Sequence, residues 1–189
     1  MKTSIARALI RRFTRPGDIL VDPFAGSGII PFEASLLGRA AIAADTNPYG
    51  VVLMRAKFSA PTSGDAAIRR FEQRWKKAER RVADQDLRHV PPWVRRFFHP
   101  ETLRSALALR DELVETQDDF LLACLLGILH HQRPGFLSYP SSHLVPYLRD
   151  KLFPRKIFAS LYEERDVRLR MLAKLRRTYL ACPPISLQS

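Results

Sequence analysis

The sequence has few of the residues that build covalent or metal frameworks. Only two of its 189 residues are cysteines, Cys124 and Cys182. Two thiols are too few for a disulfide framework or a four-thiolate zinc site. The longest apolar run, at residues 120–129, is too short to cross a bilayer, and no secretory signal is visible. These absences predict a soluble protein in a reducing, cytoplasmic setting, without contact with a membrane.

Acidic residues are scarce as well. The chain has 19 Asp and Glu against 31 Lys and Arg, which gives a formal net charge of +12. Seven of the cations lie at residues 69–81 and ten at residues 149–177. Such a surplus favours a polyanionic partner such as nucleic acid, and a solvated basic surface explains it about equally well. The apolar share of 46% excludes a wholly disordered chain.

Residues 1–58 alternate between helical and strand patterns. Ile5, Ala8, Leu9 and Phe13 form the apolar face of a first helix, and residues 19–21 form an apolar run typical of a buried parallel strand. A glycine loop, a helix at 29–37, a second strand at 40–44 and a helix after Pro48 follow. This order predicts the opening of a doubly wound, Rossmann-like α/β sheet.

Residues 59–189 form a different region, which is basic and mostly helical. The periodicity predicts helices at 66–82, 102–114 and 120–131 and a final helix at about 155–180, with no further convincing strand. Because two strands do not make a closed sheet, the α/β core is expected to be incomplete in this chain.

The loop at residues 22–28 carries the most informative chemistry. A nucleoside triphosphate needs a lysine after the last glycine, and none follows Gly28. A dinucleotide site needs a third glycine where this chain has Pro31. Asp22 would repel a pyrophosphate but attract a cationic cofactor such as S-adenosylmethionine. Asp45, after the second strand, is placed to accept hydrogen bonds from ribose hydroxyls.

Two segments resemble a known family. The string Asp-Pro-Phe-Ala-Gly-Ser-Gly at 22–28 and Asp-Thr-Asn-Pro at 45–48 are similar to motifs of the S-adenosylmethionine-dependent amino-methyltransferases that modify adenine or cytosine in DNA. The resemblance implies S-adenosylmethionine as cofactor, DNA as partner, and methyl transfer to an exocyclic amine. The cofactor-binding residues that it implies are Asp22, Pro23, Phe24, Ala25, Gly26, Ser27, Gly28, Asp45 and Asn47.

The same family uses a further motif that is missing here. A Ser, Asn or Asp, two prolines and an aromatic residue hold the target amine and stack on the flipped base. The nearest string in this chain is Cys-Pro-Pro-Ile at 182–185, which we interpret as chance. The catalytic residues therefore stay unassigned. We expect a chain truncated before that motif, which lacks a C-terminal half or a partner subunit.

Two other functions stay open. The string at 26–34 also resembles RNA methyltransferases, and a chain without the catalytic motif could bind nucleic acid or a partner without turnover. Adjacent His130 and His131 are not expected to share a metal ion, because neighbouring helical residues point about 100° apart. Cys124 is expected in the core, and Glu33 as a solvated or capping acid. Four aromatic residues could stack on bases or fill a core: Trp75, Trp93, Phe97 and Phe98.

Overall fold

A computed structural model describes residues 2–130, 136–140 and 151–181. These residues form two compact units that divide between Ala60 and Pro61. We call residues 2–60 unit 1 and residues 61–181 unit 2, and each is described by itself.

Unit 1 is a β–α–β arrangement with additional helices. Its elements are α1 (Thr3–Phe13), β1 (Ile19–Asp22), α2 (Ile29–Leu36), β2 (Ala40–Ala43) and α3 (Pro48–Phe58). The strands pair in parallel, with Ile19 opposite Ala40 and Asp22 opposite Ala43. Helix α2 packs on both strands, and α1 and α3 pack on α2. The predicted order of strand, loop, helix, strand and helix is confirmed.

The burial predicted for the first strand is wrong. Val21 is 69% exposed and Ile19 is 65% exposed, and Ile42 on the neighbouring strand is equally open. Successive strand residues point to opposite faces, and α2 covers only the face that carries Leu20 and Ala41. In the described chain, no layer covers the other face, although parallel sheets are ordinarily covered on both.

The apolar face predicted for α1 is present on the helix, but it is not the buried face. Ile5, Leu9 and Phe13 are exposed, and the buried side chains of the helix are Ala6 and Ile10. The periodicity of the larger side chains correctly indicated a helix. It did not indicate the buried face, which is the neighbouring stripe of Ala6 and Ile10 in a helix that packs on α2.

Unit 2 is a helical assembly. Its principal helices are α4 (Gly64–Glu79), α5 (Pro92–Arg95), α6 (Pro100–Glu115), α7 (Asp119–Leu129) and α8 (Val167–Ala181), and short 3₁₀ turns occupy Leu87–His89 and Ala159–Tyr162. Helices α4, α6, α7 and α8 pack together around a core. The largest fully buried side chains of that core are Phe71, Leu109, Leu113, Leu121, Leu125, Leu137, Met171 and Leu175.

The last helix starts later than the periodicity predicts. It begins at Val167 rather than near residue 155. The amide of Leu169 donates to Oδ1 of Asp166 (2.9 Å), which is the bond of a helix N-cap. Pro154 lies in the preceding irregular stretch, and Ile157, expected on the apolar face of a helix, is exposed.

None of the helices in the described ranges combines the length and the apolar character that crossing a membrane requires.

Candidate functional site

The glycine loop lies at the carboxyl ends of the two parallel strands. It leaves β1 after Asp22 and enters α2 at Ile29. The amide of Ala25 donates to the carbonyl of Ala44 (3.0 Å), so the loop is tied to the residue that follows β2. Ligands of open α/β sheets bind at this edge. The structure therefore brings the predicted loop and the predicted second motif to one place.

The two glycines of the loop need left-handed backbone angles, with φ of +53° at Gly26 and +75° at Gly28. A Cβ atom on Gly26 would meet nothing within 4 Å, whereas one on Gly28 would lie 2.3 Å from Cγ of Met54. Gly26 thus leaves open space at the loop. The missing side chain of Gly28 instead makes room for α3, a packing role that the sequence did not indicate.

Helix α3 holds the loop with one face. Gly50, Met54 and Lys57 are spaced four and three residues apart, so they share that face. Gly50 lies against the carbonyl of Gly26, where a Cβ would approach the oxygen to 2.7 Å. Nζ of Lys57 donates to the carbonyl oxygen of Ser27, and partial burial lowers the pKa of this lysine. Our sequence analysis missed Lys57, although its spacing from Gly50 was visible.

The carboxylate of Asp45 accepts hydrogen bonds from two backbone amides, one in the glycine loop and one in the segment after β2. Its Oδ1 accepts from the amide of Asn47 (2.8 Å) and its Oδ2 from the amide of Gly26 (2.6 Å). These bonds, the first being the larger cause, lower the pKa of Asp45, so the side chain is a carboxylate at neutral pH. Each oxygen keeps a further lone pair that can accept a hydroxyl.

Asp22 leaves most of its hydrogen-bonding capacity free. Oδ1 accepts from the amide of Phe24 (3.2 Å), and in the described part of the chain the carboxylate forms no ion pair. The side chain of Phe24 is 87% exposed, which is unusual for a residue of this size. An acid and an aromatic ring are therefore available side by side on the loop.

The other predicted site residues have mainly structural contacts. Pro23 is exposed, Ala25 is buried, and Ser27 is half-buried with its carbonyl bound by Lys57. Oδ1 of Asn47 accepts from the amide of Tyr49 (3.0 Å) and caps α3.

Glu33, expected as a solvated or capping acid, is not solvated. It is 2% exposed, and its Oε2 accepts from Nε of Arg7 at 2.8 Å. This ion pair joins α2 to α1. Its role is to connect two helices rather than to bind a ligand, because the carboxylate faces α1 inside the unit.

The remaining candidates do not form a second site. Cys124 is buried, and burial raises the pKa of its thiol to about 11, which makes it unreactive at neutral pH. Trp75 and Phe97 are buried, whereas Trp93 is exposed. Among the described residues, no group of three or more His, Cys, Asp or Glu can hold a metal ion. His131 and the string at 182–185 lie outside the described residues.

A β–α–β unit with a glycine loop and two carboxylates at its carboxyl edge is typical of enzymes that bind nucleoside-containing cofactors. Comparison with known families narrows this class. Residues 3–56 match the family model described as DNA methylase, of the N6 and N4 amino-methyltransferase type. This match confirms the predicted resemblance for that segment, which is under a third of the 189 residues. No curated protein and no solved structure matches the chain significantly.

Proposed function

We propose that unit 1 is the S-adenosylmethionine-binding part of a Rossmann-like DNA methyltransferase that acts on an exocyclic amine of a base. The observation that carries the proposal is the loop of residues 22–28, which lies over two parallel strand ends with Asp22 and Asp45 beside it. The match of residues 3–56 to the DNA methylase family supports DNA rather than RNA as the substrate.

The residues present fit this cofactor. Asp22 offers a carboxylate without an ion pair in the described part of the chain, which suits the ammonium and sulfonium charges. Asp45 offers lone pairs for the two ribose hydroxyls while its other lone pairs hold the loop. Gly26 leaves open space at the loop, and the exposed ring of Phe24 supplies apolar surface. Bound there, the cofactor would supply an electrophilic methyl group.

The group that holds the target amine is absent from the sequence. No Ser, Asn or Asp is followed by two prolines and an aromatic residue anywhere in the 189 residues. We therefore propose that a second polypeptide segment, in a C-terminal half or a partner subunit, supplies that loop. The open apolar face of β1 and β2 supports this idea, since such a face is ordinarily covered.

Cofactor binding is best tested by removing one charge with little change of shape. Asp22→Asn keeps the oxygen that accepts from Phe24 and removes the attraction for a cation. We expect S-adenosylmethionine to bind about fivefold more weakly, because a solvent-exposed charge pair contributes about 1 kcal/mol. Isothermal titration calorimetry of the full chain measures this.

Asp18→Asn is the matched control. Its carboxylate is exposed and also accepts a backbone amide, that of Arg15 at 2.8 Å, but it lies before β1 and away from the loop. Unchanged affinity in this control is expected. Equal losses in both variants, or tighter binding of NAD than of S-adenosylmethionine by the unmodified chain, would contradict the assignment.

A second candidate function is binding of nucleic acid or a partner without turnover, and the missing tetrapeptide favours it. A transfer assay with labelled methyl groups and duplex DNA tests whether this chain turns over by itself. We expect no incorporation by the isolated chain. Incorporation that Cys182→Ala abolishes would assign catalysis to the string at 182–185 instead.

A further inference from the structure

Seven cations lie at residues 69–81, five in helix α4 and two directly after its last residue, Glu79. Their contacts divide them into two sets. Four of them form ion pairs with acids of unit 2. Nε of Arg70 lies 2.5 Å from Asp118, and Nη2 of Arg81 lies 2.6 Å from Glu115. Arg74 lies 3.6 Å from both Asp118 and Glu112, and Lys77 lies 4.0 Å from Glu112. These four therefore contribute to holding the helices of unit 2 together.

The other three cations are Arg69, Lys76 and Arg80. All three are exposed, and in the described part of the chain none of them forms an ion pair or a hydrogen bond. With Gln73 they are spaced four, three and four residues apart, which places them in one row along the helix. We call these four residues the α4 stripe. Eleven residues of helix separate its ends, a length of about 16 Å.

Three acids of the same helix, Asp65, Glu72 and Glu79, lie beside the α4 stripe, and Asp65 and Glu79 are exposed. Glu72, on the neighbouring side of the helix, is occupied by Arg168, which donates to both carboxylate oxygens at 2.9 and 3.0 Å. An open groove of about 370 Å³ runs along the stripe, and its lining residues are Gln73, Arg74, Lys76, Lys77 and Arg80. The groove thus presents cations and one amide, with no acid among the residues that line it.

The burial of apolar side chains in α4 indicates which kind of partner the α4 stripe can bind. A helix that binds membranes inserts aromatic and aliphatic side chains, and single-stranded nucleic acid stacks its bases on aromatic rings. The apolar side chains of α4, Ala67, Phe71, Trp75 and Ala78, are buried in unit 2, so neither mode is open to it. Point charges in a row can still bind the phosphates of a duplex.

We propose that the α4 stripe binds the phosphate backbone of duplex DNA without reading its sequence. Over about 16 Å one strand of B-DNA presents roughly five phosphates, since they follow at about 3.4 Å along the axis. A row of this length can therefore bring each of its three cations to a different phosphate. The choice of DNA over duplex RNA rests on the proposed function. The choice of phosphate rests on the stripe alone.

The test uses the full chain and a short fluorescent DNA duplex of mixed sequence, with no cofactor present. Three phosphate contacts should weaken binding by a factor of about 40 between roughly 50 and 200 mM salt. Replacing Arg69, Lys76 and Arg80 together by Gln should lower affinity roughly tenfold at low salt and reduce the salt slope by about three units. Fluorescence anisotropy measures both quantities, and a second duplex of unrelated sequence should give the same values.

A control variant separates a defined stripe from general positive charge. Lys156, Arg176 and Arg177 are exposed in unit 2 and form no ion pair in the described ranges, so replacing them by Gln removes the same charge elsewhere. We expect this control to retain most of the affinity. Equal losses in the two triple variants would overturn the proposal, as would an unchanged salt slope in the stripe variant.

Two further probes decide the identity of the partner. Tighter binding to anionic lipid vesicles than to DNA, with loss in the stripe variant, would overturn the assignment to nucleic acid. Tighter binding to a duplex RNA would overturn the choice of DNA. Because the assay contains no S-adenosylmethionine, a failure of cofactor binding in unit 1 leaves its result intact, and the two proposals fail separately.

Discussion

The acids at the loop of unit 1 and the buried acids of unit 2 have opposite kinds of partner. At the loop of unit 1, Asp22 and Asp45 are held by backbone amides and have no ion pair in the described chain. In unit 2, Asp118 and Glu112 are buried beside arginines. Amide donors fix a carboxylate in place without neutralising its charge, whereas an arginine neutralises it. Acids that are positioned but not neutralised suit the binding of a cation, and neutralised acids suit a core.

The two units also differ in how far their apolar side chains are buried. Unit 1 exposes Ile19, Val21 and Ile42 on one face of its sheet, whereas unit 2 buries Phe71, Leu109 and Leu125 completely. We therefore expect unit 2 to be the more stable of the two.

The largest effect is expected from Asp118, whose side chain is fully buried between Arg70 and the start of α7. Asp118→Ala removes the acid that pairs with Arg70 and one of the two acids near Arg74, and it should destabilise unit 2 by about 3 kcal/mol. Both tryptophans, Trp75 and Trp93, lie in unit 2, so tryptophan fluorescence during urea unfolding reports that unit.

Asp119→Ala is the control for this variant. Asp119 is the next residue, is only half-buried and forms no ion pair in the described part of the chain. Its replacement should change the stability by no more than about 0.5 kcal/mol. Similar shifts of the two midpoints would contradict the role given to the buried ion pair.

The second effect concerns the packing of the loop on α3. Gly28→Ala requires both a left-handed alanine and the displacement of Met54, so we expect a loss of about 2–3 kcal/mol in unit 1. Hydrogen exchange over β1 and α2, followed by mass spectrometry, measures this loss of stability.

Gly26→Ala is the control. Its Cβ would meet no atom within 4 Å, so it should lower the stability of unit 1 by only about 1 kcal/mol. Equal exchange in the two variants would show that the contact with Met54 is unimportant.

A smaller effect is expected from Lys57, which donates to the Ser27 carbonyl. Lys57→Met removes one hydrogen bond that holds the loop, and we expect S-adenosylmethionine to bind about fivefold more weakly, corresponding to about 1 kcal/mol. Arg55→Met is the control, because Arg55 is exposed on the same helix and its side chain has no partner in the described chain. If calorimetry gives the same affinity for the Lys57 variant as for the unmodified chain, the loop does not depend on this bond.

The smallest effect at neutral pH concerns Cys124. Burial raises the pKa of its thiol to about 11, so the neutral thiol is favoured in the folded state. That contribution to stability is present below the unfolded pKa of about 8.5 and is lost as the pH rises through about 11. In a Cys182→Ser background, a thiol reagent should react with the folded chain very slowly at pH 7 and rapidly in denaturant. Fast reaction of the folded chain would show that unit 2 opens readily.

Much of unit 1 could be predicted because its signals are local. The strands at Ile19–Asp22 and Ala40–Ala43 follow from short apolar runs, and Gly26 and Gly28 are required by their own backbone angles. The start of α8 was misplaced because Asp166 caps a helix that apolar periodicity alone extends too far.

The sequence by itself determined the order of the elements in unit 1 and the place of the glycine loop between them, because each of these depends on residues close together in the chain. Only the tertiary structure decided which charged side chains form ion pairs and which face solvent. Arg69 and Arg70 are neighbours in sequence, yet Arg70 meets Asp118, 48 positions away, and Arg69 faces solvent. Glu33 pairs with Arg7, 26 positions away, and Lys57 donates to the carbonyl of Ser27, 30 positions away. Such pairs depend on how helices pack, and single-sequence periodicity carries no information about the partner.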